Sequence, residues 1–158
     1  MRGPTGSRLA AVLASVVAVL MLSSCLGGSS HAKDDAKADL STWAGKVAAR
    51  DGKVVSETFG GGGLDGPYTL GVITLRDGDP MQVATAALQS AAAAGYQGSP
   101  QPPCLEGRGC GFTASAANPG YSLETFSSGS TVRGTDITVP AGKTAVVVTL
   151  VDHPTPSG

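Results

Sequence analysis

Two segments of the chain, residues 68–76 and 143–152, are almost continuously apolar and rich in β-branched side chains. Such runs are typical of strands that are buried on both faces of a sheet. They predict two inner strands, with 143–152 at the centre of the sheet. Between them, residues 80–94 carry apolar positions at helical spacing, which predicts an amphipathic helix whose alanines allow close approach to a sheet. The apolar stripe of this helix consists of Met81, Ala84, Leu88 and Ala91.

Start and stop signals flank the helix predicted over 80–94. Asp79 is placed to act as the N-cap, Pro80 to occupy the first helical position, and Gln82 to complete a capping-box-like pair. Gly95 follows the last turn, where a glycine commonly ends a helix. Asp77 and Asp79 suggest calcium, but the other carboxylates of an EF-hand loop are missing. We therefore assign these two residues to the turn and the cap.

A short helix is predicted over residues 42–50, with Ser41 as its N-cap and Asp51-Gly52 as its end. Trp43, Val47 and Arg50 share one face at helical spacing. We expect Trp43 to be the anchor that docks this helix on the domain.

Three shorter segments complete the predicted sheet: 53–59, 111–117 and 121–127. The last two are joined by Asn118-Pro119-Gly120, which predicts a hairpin. Residues 128–142 are rich in turn residues around a short Ile-Thr-Val stretch. The order of elements predicts a small single α+β domain with an antiparallel or mixed sheet of four to six strands. One main helix, 80–94, covers one face, and a short N-terminal helix accompanies it.

The N-terminus has the three parts of a secretory signal: a charged start with Arg2 and Arg8, an apolar run over 9–22, and small residues after it. A membrane span is the alternative, but the fourteen residues of the run cover about 21 Å as a helix, against a hydrocarbon core of about 30 Å. We therefore interpret residues 1–24 as a removable signal peptide.

Leu22, Ser23, Ser24 and Cys25 resemble the lipobox of bacterial lipoproteins, and the Gly- and Ala-rich composition resembles that of actinobacterial proteins. The resemblance implies cleavage before Cys25 and transfer of a diacylglyceryl group to its sulfur. Two or three long acyl chains hold a protein stably on a membrane. The mature chain is then expected on the extracytoplasmic face of the cell membrane, anchored to it without spanning it.

Residues 25–39 then hold the lipidated cysteine and a flexible tether, 40–153 form the domain, and 154–158 are a disordered tail. In the tether, His31, Asp34, Asp35 and Asp39 are of metal-ligand type, but they are more simply explained as solvated side chains. Residues 68–96 also resemble one repeat of cell-wall-binding PASTA modules in their strand, helix and Gly-Tyr order. The chain holds no second repeat, so we transfer no function from that resemblance.

Charge and cysteines narrow the class of partner. Two of the 11 basic residues lie in the signal peptide, so nine remain against 12 acidic ones and the mature net charge is about −3. This charge argues against nucleic acid and against electrostatic attraction to anionic lipid.

Export favours a disulfide between Cys104 and Cys110, and Gly107 and Gly109 allow the tight ring. A catalytic redox pair and a zinc site are the alternatives, but the spacing and the missing ligands argue against them.

Catalysis finds little support in the sequence. Both histidines, His31 and His153, lie outside the predicted elements, so neither is placed to act as an oriented general base. Four carboxylates remain as candidates for a two-carboxylate glycosidase site, namely Glu57, Asp65, Glu106 and Glu124. They lie on separate segments, so we expect no enzyme, no metal and no cofactor.

Two functions from different classes remain open. The first is a binding or accessory module that presents loops 60–66 and 100–111 to an envelope protein or a cell-wall partner. The second is a carrier of lipid or another small apolar ligand. A cavity lined by strand and helix residues would favour the carrier, and a filled core would favour the module.

Overall fold

The structure, a computed structural model, describes residues 28–63, 66–98, 100–113 and 118–152. The predictions for the signal peptide, for Leu22, Ser23, Ser24 and Cys25, for Asp65 and for the tail from His153 onward lie outside the described residues. So does the part of the predicted strand over 114–117.

A five-stranded antiparallel sheet forms the centre of the domain, in the order β1-β2-β5-β4-β3. The two helices pack on one face of this sheet, so the predicted α+β class is confirmed. The strands are β1 (Lys53–Gly61), β2 (Tyr68–Asp77), β3 (Cys110–Phe112), β4 (Gly120–Phe126) and β5 (Lys143–Asp152). The helices are α1 (Gly28–Lys46) and α2 (Pro80–Ala93).

The two most apolar segments occupy the positions that their composition predicts. β5 lies at the centre of the sheet between β2 and β4, and β2 is flanked by β1 and β5. Val146, Val148 and Leu150 of β5 are buried because helices cover their side of the strand. Because β5 is paired along both edges and is covered on both faces along part of its length, successive residues are apolar.

The helix-covered face carries almost all of the aromatic residues of the domain. One register row crosses all five strands and aligns Phe59, Leu70, Leu150, Tyr121 and Phe112. Trp43 from α1 and Tyr96 from the end of α2 pack onto the same cluster. The other face has a smaller cluster, in which Phe126 and Ile73 are covered by Val132 and Val139 of the 128–142 segment. The core is therefore divided by the sheet into a large aromatic half and a small aliphatic half.

α2 begins and ends where its sequence signals indicate. The Asp79 side chain accepts a hydrogen bond from the Met81 backbone N–H at 2.9 Å. At the other end Gly95 has φ +97°, and the Tyr96 and Gly95 N–H groups donate to the Ala91 and Ala92 carbonyls, which is a Schellman ending. Two details of the prediction are wrong. Met81 is exposed and Val83 and Ala87 are buried in its place, and the Gln82 side chain makes no hydrogen bond to another described residue.

α1 differs most from the prediction. Residues 28–39, which we predict as a flexible tether, are helical in the structure. The predicted helix over 42–50 is therefore wrong at both ends, because it begins before Ser41 and ends at Lys46. Alanine is the best helix former, and the spacing of Ala36, Leu40 and Ala44 places three buried residues on one face. Residues 31–35 are exposed in this helix, and Ala36 is the first buried residue among the α1 positions whose burial the structure describes.

Ser41 has a different role from the predicted cap. Its carbonyl and its Oγ both accept hydrogen bonds from the Arg50 guanidinium, each at 3.0 Å. Arg50 in turn forms a bidentate pair with Glu57 of β1, with both N···O distances at 2.8 Å. These contacts tie the end of α1 to the edge strand.

Within the described residues, no helix is both long and apolar enough to cross a membrane.

Candidate functional site

A shallow groove of about 210 Å³ lies between the outward side of α2 and the chain that follows it. One wall is built from α2, the other from Gly98 and the Pro-rich residues 100–102, and Phe112 at the end of β3 contributes the aromatic side chain. The lining residues are Thr85, Leu88, Gln89, Ala92, Gly98, Pro100, Gln101, Pro102 and Phe112.

The first wall has a fixed position because α2 packs on the sheet through its buried face and ends in a defined C-cap. Its buried alanines and Leu88 face the sheet, so the residues one turn apart on the other side are left at the surface. The Schellman ending at Gly95 turns the chain back toward α2. Tyr96 then anchors the turn, since its ring packs against Trp43, Phe112 and Tyr121 at centroid distances of 5.2 to 5.7 Å.

The hydroxyl of Tyr96 completes this anchor. It donates a 2.8 Å hydrogen bond to the carbonyl of Pro119, which precedes β4. Burial of the phenol raises the pKa of Tyr96 well above its ordinary value, so the hydroxyl stays a donor at physiological pH. The start of the second wall is thereby tied to the sheet.

The second wall is closed by the predicted disulfide, which the structure contains. Cys104 is fully buried and is bonded to Cys110, with the two Cα atoms 5.0 Å apart. Cys110 opens β3, only two residues before Phe112. The bridge therefore connects the segment that forms one wall to the strand that carries the aromatic side chain.

The groove is chemically neutral. None of its nine lining residues has an ionisable side chain. Both Gln89 and Gln101 are exposed, and no hydrogen bond joins either side-chain amide to another described residue. The Thr85 hydroxyl already donates to the Met81 carbonyl at 2.8 Å. The site therefore offers apolar surface and two free amide groups, and it suits non-covalent contact better than acid–base chemistry.

Two of the carboxylates considered for a glycosidase site, Glu57 and Glu124, lie on opposite faces of the sheet. Glu57 pairs with Val72 in the sheet and so lies on the helix-covered face, whereas Glu124 pairs with Val147 on the opposite face. The hydrogen bond with the Arg50 guanidinium lowers the pKa of Glu57, which opposes a role as a general acid. Glu124 packs against Gly109 of the disulfide ring, and Glu106 is exposed in the same ring.

The residues considered as metal ligands are also accounted for. His31, Asp34, Asp35 and Asp39 are all exposed along α1. Asp77 forms a 2.6 Å ion pair with Lys143, and Asp79 caps α2, as the sequence indicates. In the described ranges no group of three or more His, Cys, Asp or Glu side chains is placed to hold a metal ion.

Tyr121 shows an unusual feature beside the groove. Its ring contacts Phe112 at 5.8 Å, and among the described side chains its hydroxyl is the one buried polar group without a hydrogen-bond partner. Burial raises the pKa of Tyr121 to about 12, although the nearby positive charge of Arg76 partly opposes this shift. The hydroxyl is therefore neutral at physiological pH.

The sequence indicated only part of this site. Loop 100–111 was expected to present residues to a partner, and three of its residues, Pro100, Gln101 and Pro102, do line the groove. Leu88 belongs to the predicted apolar stripe, but Thr85, Gln89 and Ala92 of the α2 wall are small or polar residues outside it, so the sequence does not mark them as a binding surface. No protein family, curated protein or solved structure was found to match this chain.

Proposed function

We propose that this chain is a membrane-anchored lipoprotein of the extracytoplasmic face, and that its domain acts as a non-catalytic binding or accessory module of the cell envelope. The anchoring part of this proposal rests on the signal-peptide pattern and on the lipobox-like Leu22-Ser23-Ser24-Cys25. The binding part rests on the groove between α2 and residues 98–102.

The preformed walls of the groove are the observation that carries the binding proposal. One wall is a helix with defined caps, and the other is fixed at Tyr96 and at the Cys104–Cys110 disulfide. A site with rigid walls loses little conformational entropy when a ligand is bound, and this raises its affinity for a given contact area. Gly98 and residues 100–102 lie outside the helices and strands and are held by the folded domain, which is where binding residues commonly lie.

A lipid carrier is less well supported. The space between the helices and the sheet is occupied by the aromatic cluster of Trp43, Tyr96, Phe112 and Tyr121. The groove is open at the surface, and its volume of about 210 Å³ is below the roughly 300–1,000 Å³ of pockets that enclose a small-molecule ligand. Such a groove can hold a side chain or a short segment of a partner, but not a whole acyl chain.

Site-specific photo-crosslinking in cells tests the binding proposal. Ala92 lines the groove, whereas Ala86 is an equally exposed alanine of the same helix that does not. A benzophenone amino acid at position 92 should give discrete crosslinked products, and the same group at position 86 should not. Equal products from both positions, or none from position 92, would contradict a partner in the groove.

The non-catalytic part of the proposal has its own test. The purified chain is incubated with peptidoglycan, ester and phosphate substrates and is expected to turn over none of them. Turnover that is lost in Glu57→Gln, Glu106→Gln or Glu124→Gln while the chain stays folded would show an enzyme instead.

A further inference from the structure

We infer that the groove binds a short, extended and uncharged peptide segment, laid beside the free edge of β3. This inference rests on the proposed function, because it names the class of partner for the same groove. Three features of the described residues carry it: the missing charges, the two free amides and the unpaired edge strand.

The uncharged lining of the groove favours an uncharged ligand. The groove has no ionisable side chain on either wall, so a carboxylate or an ammonium group entering it would lose water without gaining an ion pair. An uncharged segment carries no charge that must be desolvated, so it does not need an ion pair in the groove. Leu88, Ala92, Pro100 and Pro102 offer apolar contact to one aliphatic side chain at the centre of the groove.

The two glutamines match the chemistry of a peptide group. Gln89 stands on the α2 wall and Gln101 on the opposite wall, and both side-chain amides lack partners among the described residues. Each side-chain amide has N–H donors and a carbonyl acceptor. The N–H can donate to the carbonyl of a peptide group, and the carbonyl can accept from the N–H of a peptide group. An extended segment between the walls can therefore hydrogen-bond to both sides.

β3 supplies a third set of hydrogen-bonding groups. Among the described residues it pairs with β4 on one side only, and it is one of the two edges of the sheet that they form. Its three residues, Cys110–Phe112, end at the side chain that lines the groove. An added strand of three or four residues matches this length, as in other cases where a peptide extends a sheet at its edge.

A neutral saccharide fits the groove less well. Sugars stack on open aromatic faces, but the Phe112 ring is half-buried and is in contact with the Tyr96 and Tyr121 rings. Gly98 also closes on it, since a Cβ at that position would lie 3.7 Å from the ring. The ring is therefore not an open platform on which a sugar could stack.

The test is an NMR titration of the full chain in detergent with three probes. They are the capped peptide acetyl-Ala-Leu-Pro-Ala-amide, the same peptide with Asp at both ends, and a tetramer of N-acetylglucosamine. We expect the uncharged peptide to shift the backbone amide signals of Gly98, Gln101 and β3, and the acidic peptide to bind at least about tenfold more weakly. A version N-methylated at Leu should also bind more weakly, because it removes a donor for strand pairing.

Matched variants assign the binding to the groove. Gln101→Ala should weaken the binding of the uncharged peptide about fivefold to tenfold. Gln97→Ala, which changes an exposed glutamine outside the groove, should leave it unchanged. Equal binding of the neutral and acidic peptides, or of the N-methylated one, would overturn the inference.

The outcomes separate this inference from the proposed function. If the saccharide binds, Gln101→Ala weakens it and the peptides do not bind, the peptide class is wrong and a binding groove remains. If position 92 crosslinks in cells but none of the peptides shifts the groove signals, the partner class is again wrong. If neither crosslinking nor any probe reports on the groove, both proposals fail.

Discussion

The carbonyl oxygen of Cys104 accepts two hydrogen bonds from a single residue, Thr125. One comes from the Thr125 backbone N–H and the other from its Oγ1, at 3.1 Å. Thr125 is fully buried in β4, where an alternating strand would otherwise place an apolar side chain. The polar residue is thus explained by the carbonyl that it holds, and residue 104 is attached to the sheet independently of its disulfide.

Thr125→Val should lower the free energy of unfolding by about 1 to 2 kcal/mol, because it removes one of these hydrogen bonds and keeps the side-chain shape. Local opening should increase at the end of the groove wall. We expect faster hydrogen exchange in residues 98–105 than in the unmodified chain, measured by mass spectrometry.

Thr144→Val is the matched control for that experiment. Thr144 is equally buried, and its Oγ1 donates to the Gly78 carbonyl at 2.8 Å, at the turn before α2. This variant should lose similar stability but increase exchange near residue 78 and not near residue 104. Faster exchange at 98–105 in both variants would mean that the effect of Thr125 is global.

Two tyrosines provide a second pair of identical substitutions with opposite expectations. The Tyr96 hydroxyl donates to the Pro119 carbonyl, while the buried Tyr121 hydroxyl has no partner within the part of the chain that the structure describes. Tyr96→Phe should therefore cost about 1 to 2 kcal/mol of stability, and Tyr121→Phe should be neutral or stabilise by up to about 1 kcal/mol. Denaturant unfolding measures both. A loss on Tyr121→Phe equal to that on Tyr96→Phe would show that the Tyr121 hydroxyl has a partner, such as a buried water.

The same residues predict a loss of stability at alkaline pH. Burial raises the pKa of Tyr121 to about 12, whereas an unfolded tyrosine loses its proton near pH 10. Above about pH 10 the folded chain holds more protons than the unfolded one, so the contribution present below that pH is lost as the pH rises toward 12. Tyr121 alone adds a slope of at most about 1.4 kcal/mol per pH unit. In Tyr121→Phe the fall between pH 10 and 11.5 should be shallower, and an unchanged slope would contradict the assignment.

The two inner strands of the sheet could be predicted because each is a run of consecutive apolar residues. Residues 143–152 are β5 without any change of boundary, since a strand between two neighbours needs an apolar residue at nearly every position. α2 was equally clear, because Asp79, Pro80 and Gly95 act locally on the backbone of the helix that they flank. Signals of this kind do not depend on tertiary contacts.

α1 and the groove depend on contacts that the local sequence does not show. Ala36 and Ala44 are core residues of α1, but alanine in a polar segment does not distinguish a buried face from an exposed one. Ser41 resembles a cap and instead accepts hydrogen bonds from Arg50. The groove brings residues 85–92 beside 98–102 and 112 only after the Tyr96 ring and the disulfide have fixed the chain.

The ends of the two helices predict a pair of effects of opposite sign. α1 also ends in a Schellman motif, in which the Ala48 and Ala49 N–H groups donate to the Gly45 and Ala44 carbonyls. The left-handed position is occupied by Ala48 with φ +54°, where α2 has Gly95 with φ +97°. Ala48→Gly should raise stability by about 0.5 to 1 kcal/mol, and Gly95→Ala should lower it by a similar or larger amount. Thermal unfolding of both variants checks the signs. A loss on Ala48→Gly would show that the Ala48 methyl group contributes more packing energy than its backbone strain costs.

The proposed lipid anchor at Cys25 can be tested by mass spectrometry of the membrane fraction. The apolar run over 9–22 and the lipobox-like Leu22-Ser23-Ser24-Cys25 predict that residues 1–24 are removed and that the Cys25 sulfur is acylated. Intact-mass measurement of the membrane fraction should show the chain from Cys25 onward with added acyl mass, because only a thiol at this position can accept the diacylglyceryl group. Cys25→Ala should leave an unprocessed precursor. Ser24→Ala, which keeps a small residue before the cut, should be processed and acylated as usual. Normal cleavage of the Cys25→Ala variant, or an unmodified Cys25 in the membrane fraction, would refute the lipoprotein proposal, whereas the crosslinking and peptide experiments on the groove would keep their meaning.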